Sequence, residues 1–277
     1  MQLTEALQQI NDNNSSFIYK VYIPSLQKEV MFRSLSVGEL KSLSKIMVED
    51  DTENLLYATT TIISSLIQDS SINVMDLIEL DRLAILFQLK KINMLGDDNY
   101  NVTCGKCEKQ FLFEYDLNKV LEKIKNISLT NQTNDFEINH MKYTIEVGYP
   151  ILQDIMGYNE ISKRFAQKIE EGKKTDEEKE KESFVSASFI LKYIRLLYVR
   201  GLSINDNKID NFLDSTLADR ILLMEHMPAG FMNEVNNIIV KNRQIYDILD
   251  IIGTIVACPH CHADILVKVD PKDFFMI

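Results

Sequence analysis

The sequence predicts an α+β fold, mainly helical, in which a unit of β-hairpin, helical bundle and C-x-x-C knuckle occurs twice in tandem. Three observations predict it. All four cysteines fall into two C-x-x-C pairs, Cys104 with Cys107 and Cys258 with Cys261. The segments around the pairs align without a gap. Val102 matches Val256, then Phe111, Phe113 and Tyr115 match Ile265, Val267 and Val269, and Asp116 and Asp270 close the segments. Finally, the same order of elements is read on both sides of residue 127, which sets two domains, 1–127 and 128–277.

The first domain opens, after a polar arm, with Phe17–Ile23, rich in aromatic and β-branched residues. Pro24 and Ser25 break this run, and Glu29–Arg33 resumes the alternation, so a hairpin is expected. Ser36 and Glu39 form an S-x-x-E capping box opening a helix through about Met47. Leu55, Leu56, Ile62, Ile63, Leu66 and Ile67 mark a second helix. Apolar spacing from Val74 to about Leu95 marks a third, stopped by Gly96-Asp97-Asp98, and the first knuckle follows. In the second domain, Phe136–Ile138 and Lys142–Val147 flank Asn139-His140-Met141 as a second hairpin. Helices are expected from Pro150 to about Phe165, from Phe184 to about Val199, and from Thr216 towards Lys241, before the second knuckle. Leu80-Asp81-Arg82-Leu83 in one long helix has a counterpart in Ala218-Asp219-Arg220-Ile221. Each aspartate suits a helix N-terminus, with the arginine expected beside it on the surface. Residues 170–182 include eleven that are Asp, Glu or Lys and none that is apolar, so they read as a solvated insertion.

Composition narrows the function. With 45% hydrophobic and 26% charged residues, the chain is that of a soluble globular protein. A net charge of −11 opposes broad attraction to phosphate backbones, and no basic run makes a patch, so nucleic acid is an unfavoured partner. No apolar stretch reaches membrane-spanning length. The first residues lack a basic and then apolar pattern, so no signal peptide is expected, and the cysteines are read for a reducing compartment.

Zinc takes four ligands in a tetrahedron, and two C-x-x-C turns supply four thiolates, which closes a structural site. Cys104, Cys107, Cys258 and Cys261 are therefore the candidate ligands of one zinc. A dithiol redox pair is the competing reading, but it needs a strand, C-x-x-C and helix in that order, whereas strand-like runs follow both pairs. Cysteines serving packing alone are the third. His260 and His262 flank the last cysteine and are alternative ligands or surface residues; His140 falls in a hairpin turn and His226 on a helix. There is no glycine-rich phosphate loop, G-x-S-x-G elbow or H-E-x-x-H motif. Neither an enzyme nor a small-molecule substrate is expected.

Taken together, Ser36-Val37-Gly38-Glu39-Leu40, Leu80-Asp81-Arg82, Val102-Thr103-Cys104-Gly105-Lys106-Cys107, Gly148-Tyr149-Pro150, Met227-Pro228, Cys258-Pro259-His260-Cys261 and the ending Asp270-Pro271-Lys272-Asp273-Phe274-Phe275 resemble the baseplate hub proteins of T-even-type contractile-tailed bacteriophages. The resemblance implies a structural or assembly component of the tail baseplate, put together in the host cytoplasm. It would act by contact with other baseplate or hub proteins, with the four cysteines as zinc ligands. A zinc-ribbon regulator or nucleic-acid-binding protein is the alternative. The apolar ending Phe274-Phe275-Met276-Ile277 is expected to be buried, against its own knuckle or in a partner.

Overall fold

A computed structural model describes residues 5, 17–48, 52–93, 98–171, 194–246 and 252–267. Two compact units are formed, residues 1–128 with 247–277, and residues 129–246. Among the described residues there are seven α-helices and ten strands, and every strand pairing is antiparallel.

In the first unit, strands β1 (Ile18–Ile23) and β2 (Lys28–Arg33) pair from Ile18↔Arg33 to Ile23↔Lys28. Their alternation places Val21, Ile23, Val30 and Phe32 in the core. Helix α1 (Val37–Val48) starts at the expected box. The Ser36 amide donates to Glu39 Oε2 at 2.8 Å, and the Glu39 amide donates to Ser36 Oγ at 3.2 Å. Arg33 then clamps Glu39 with two charge-assisted hydrogen bonds, at 2.9 and 2.5 Å. Helix α2 (Thr52–Leu66) is followed by a 3₁₀ turn, Val74–Asp76.

Helix α3 (Glu79–Ile92) is the spine of this unit. It buries Leu80, Leu83, Ala84, Ile85, Leu86, Phe87 and Leu89, on more than one face, as a core helix does. Three of its polar residues, Asp81, Arg82 and Lys90, are buried as well. Asp81 accepts from the Ile78 amide (3.0 Å), the Ser25 amide (2.8 Å) and Ser25 Oγ (2.5 Å), tying the β1–β2 turn to the helix start. Burial pushes the Asp81 carboxyl up, against the lowering effect of these donors. One turn before the helix end, the Gln88 amide pairs with Tyr22 N and O, both at 2.8 Å, imitating a strand neighbour. Arg82 bonds Glu79 and Thr59 Oγ1, the latter at 2.9 Å. Helix α4 (Leu117–Lys125) is capped by Asp116, whose carboxylate accepts from the Asn118 and Lys119 amides.

The second unit is built on a four-stranded sheet in the order β5 (Gln132–Ile138), β6 (Met141–Val147), β7 (Val199–Ile204) and β8 (Asn207–Lys208). Asn139 and His140, at φ 54° and 63°, turn β5 into β6. Asn205 and Asp206, at φ 49° and 63°, turn β7 into β8. Both are two-residue turns with φ positive at each position, which matches the twist of the strands. Phe136 stacks on Tyr143 at 5.5 Å, and Phe231 meets the Tyr143 ring edge-on at 5.1 Å. Helices α5 (Leu152–Glu171), α6 (Leu217–Glu225) and α7 (Phe231–Tyr246) complete the unit. Asp154 on α5 and Arg220 on α6 form an ion pair whose side chains are each 2% exposed, with the guanidinium 5.6 Å from the Phe212 ring centre.

This architecture corrects several expectations. The chain is mixed α/β and not mainly helical. The first hairpin stays a two-stranded sheet, whereas the second continues into β7 and β8, so strand order differs between the supposed copies. The helix expected over 184–199 fails where it is described: Ile194–Tyr198 is a 3₁₀ turn, and Val199 enters the sheet opposite Val147. An apolar run of that length suits either state, and pairing with β6 decides it. The helix from Thr216 towards Lys241 is two, α6 and α7, separated around Pro228, which cannot continue a helix ladder. Arg82 and Arg220 are buried, not on the surface. Beyond Glu171 the charged insertion lies outside the described residues, as do residues 268–277 with the Phe274–Ile277 ending.

Two expected outcomes follow from these contacts. Asp81 and Asp219 both occupy the third position of their helices, but Asp81 is fully buried and Asp219 is exposed. Asp81→Ala therefore leaves the buried Ile78 amide without an acceptor, releases the Ser25 turn, and costs about 1–3 kcal/mol in urea unfolding. Asp219→Ala loses an exposed cap and costs about 1 kcal/mol; equal losses would refute the distinction. Hydrogen bonding from Arg33, assisted by Ser36 and opposed by desolvation, holds Glu39 at about 2 instead of 4.5. Its folded-state value is the lower one, so its stabilisation is present above pH ~4.5 and is lost as pH falls towards ~2. Glu39→Gln should lower stability at neutral pH, converge on the wild type near pH ~2 and so flatten that limb of an acid-unfolding curve.

Candidate metal centre

Both knuckles belong to the first unit, and each is the tip of a short ribbon. Strand β3 (Asn99–Thr103) pairs with β4 (Gln110–Glu114), ending at Thr103↔Gln110. Strand β9 (Thr254–Ala257) pairs with β10 (Asp264–Val267), ending at Ala257↔Asp264. The loops between are built alike. The Cys104 amide donates to Lys109 O at 3.0 Å and the Cys258 amide to Ala263 O at 2.9 Å. The Glu108 amide donates to Cys104 O at 2.8 Å and the His262 amide to Cys258 O at 2.9 Å. The residue after each second cysteine is left-handed, Glu108 at φ 58° and His262 at φ 57°. Such a turn curls the chain so that amides point at the first sulfur, and the His260 amide lies 3.4 Å from Cys258 Sγ.

The two tips bring four sulfurs together. Cys104 Sγ lies 3.6 Å from Cys261 Sγ, Cys107 Sγ lies 3.8 Å from Cys258 Sγ, and all four are within 4.8 Å of one another. A disulfide needs about 2.05 Å, and the four cysteines are free. With Zn–S bonds of about 2.3 Å, the edge of a sulfur tetrahedron is about 3.8 Å. The sulfur set thus has the size of a four-coordinate thiolate cage and can hold a metal ion. Cys104 and Cys258 are buried, while Cys107 and Cys261 are partly exposed.

The electrostatics of the thiols fit the same picture. Backbone amides of Cys107 and Lys106 bring the Cys104 thiol down to about 6. For Cys261 the Ala263 amide lowers the value, but burial and the three neighbouring sulfurs outweigh it and push the thiol up to about 12. One thiolate is favoured in this space and four together are not, unless a cation supplies the opposing charge.

The predicted ligands are brought together as a set, and neither His260 nor His262 is in it. His262 contributes its backbone turn and His260 its amide, and both side chains are exposed. His140 sits in the β5–β6 turn, and His226 caps α6. Sequence reasoning missed the support behind the cluster. Buried Tyr115 donates from its hydroxyl to Ile252 O at 2.6 Å, joining the base of one ribbon to the start of the other; burial raises its pKa. Lys90 Nζ, 3% exposed at the side chain, reaches Asp98 and the Tyr100 hydroxyl, both at 3.1 Å, and anchors the first ribbon to α3. A lysine within an apolar helix was the available signal.

Paired C-x-x-C knuckles on short ribbons thus define a protein with a four-cysteine cluster that could hold a metal ion. The chain belongs to the T4 bacteriophage base plate protein family, whose sequence model matches residues 15–276. Its place is the virion tail baseplate, assembled within the host. The family is structural, which points to a non-enzymatic role and to contacts with other phage proteins. No curated protein and no solved structure matches the chain. Among the described residues, no helix is long and apolar enough to cross a membrane.

Tyr115→Phe removes one buried hydrogen bond and leaves the Ile252 carbonyl without its donor. It should cost about 1–2 kcal/mol with metal content unchanged. An unaltered unfolding midpoint would show that this link carries no stability.

Proposed function

We propose that the protein is a hub component of the tail baseplate that acts by protein–protein contact, with one structural zinc held by Cys104, Cys107, Cys258 and Cys261. The observation that carries the zinc reading is the sulfur spacing of 3.6 and 3.8 Å between residues on two different ribbons. The ion would supply the charge that lets four thiolates share one site, and so close the cage at its tip. Cys104 and Cys258 hold it from the buried side, and Cys107 and Cys261 complete the set nearer the surface. The hub assignment rests on family membership together with the motifs that resemble hub proteins. A zinc-ribbon regulator acting on nucleic acid gains no support from the family, and a net charge of −11 opposes it.

Elemental analysis of the purified protein should give one zinc per chain, and Cys107→Ser or Cys261→Ser should lose it. Structural zinc in small peptides contributes on the order of 10–16 kcal/mol. Chelation should therefore lower the melting temperature by on the order of 10 °C even after partial compensation. Metal-free protein with unchanged melting would overturn the zinc reading. Mass spectrometry of purified particles tests the hub reading: the chain present among baseplate proteins makes it a virion part, and its presence only in unfinished hub intermediates makes it an assembly factor. Absence from both overturns the assignment.

A further inference from the structure

The lysines that the sequence scatters are gathered by the fold around one helix. Helix α4 turns Leu117, Val120 and Ile124 inward and presents Lys119, Lys123 and Lys125 to solvent. Open hollows flank it on both sides. One, of about 490 Å³, lies towards α3 and β1 and is lined by Lys20, Lys91 and Lys125, with Glu122 as its carboxylate. Lys91 leans on Asn118 Oδ1, and Lys125 lies 5.3 Å from the centre of the Tyr22 ring. Among the described residues neither ammonium is in an ion pair, and the Lys20–Glu29 pair is a loose surface contact at 3.7 Å. The other hollow, of about 540 Å³, lies towards the second ribbon. Lys119 and Lys123 border it, and Ile255 and Leu266, facing each other across β9 and β10, are 70% and 45% exposed.

We propose that this face of α4 with its two hollows is a docking surface for an acidic segment of another baseplate protein, one in which carboxylates alternate with apolar anchors. The inference rests on the reading that the chain works by protein contact. Lys119 pairs with Asp116 at 3.2 Å, yet the five lysines around this nine-residue helix still outnumber the carboxylates beside them, Glu29, Asp116 and Glu122, on a chain whose net charge is −11. At physiological salt, charges act together over about 8 Å, so lysines on neighbouring turns attract as a group. Complementary charge steers and orients a partner, and exposed Ile255 and Leu266 offer the apolar contact that holds it. That apolar pair distinguishes the occupant. A phosphodiester strand would meet the lysines but would leave Ile255 and Leu266 uncovered. An acidic peptide with leucine-like anchors satisfies both hollows.

The test uses the full chain as purified and a fluorescein-labelled twelve-residue peptide of glutamates with two leucines, read by anisotropy at low and high salt. Binding should weaken steeply with salt. It should fall at least tenfold in Lys91→Glu/Lys125→Glu, and severalfold in Lys91→Gln/Lys125→Gln, whose lost charges leave folding undisturbed. Ile255→Ser/Leu266→Ser should weaken binding while keeping the salt dependence. No binding by the wild type, or equal binding by the lysine variants with unchanged melting, overturns the proposal. A twelve-nucleotide thymidine strand that binds as tightly as the peptide overturns the assignment to an acidic protein segment. The baseplate reading is decided separately by particle composition, so either result can fail without the other.

Discussion

The first unit depends on two hairpins, far apart in sequence, meeting through four sulfur atoms. Neither ribbon could hold its tip alone: β3–β4 and β9–β10 are four or five residues long, and an isolated two-stranded hairpin of that size is marginal in water. Their stability has to come from elsewhere. On the zinc reading the sulfur cluster supplies it at the tips; the Tyr115–Ile252 hydrogen bond supplies it at the base, and Lys90 fastens the first ribbon to the helical core. The returning chain segment is thus made part of the first unit by a few contacts.

Behind the ribbons, α3 converts a hydrophobic core into a specific one. Its apolar residues would pack against many partners, but its polar residues each accept one arrangement. Asp81 fixes the hairpin turn, Gln88 fixes the backbone of Tyr22, and Arg82 reaches across to α2. Buried polar groups are costly when unpaired, so a shifted packing of these elements leaves donors and acceptors stranded. In the second unit the Asp154–Arg220 pair has the same character. Truncating one partner would strand a charge in a dry site.

On the zinc reading, this organisation suits a part that must hold shape inside a larger assembly. The metal cross-links one end of the first unit without needing a large core there. The surface then stays available for partners, with α4 and its lysines set between the helical core and the second ribbon.

Much of this was legible in the chain itself, wherever the signal is local. The C-x-x-C pairs, their matching offsets, the Ser36–Glu39 cap and the alternating strands of both hairpins are short-range patterns. Backbone sterics and hydrogen bonding impose them within a few residues, so they could be read directly. The sequence by itself determined the four sulfur ligand candidates and the two knuckle turns. Only the tertiary structure decided the rest. Residues from Ile194 onward leave a 3₁₀ turn for the sheet because β6 offers a partner edge. Arg82 and Arg220 are buried because Glu79 and Asp154 receive their charges, which no propensity records. The lysines of β1, α3 and α4 became one surface only when these elements packed. Local chemistry writes itself into neighbouring residues, whereas burial, pairing and charge clustering depend on residues brought together from distant parts of the chain.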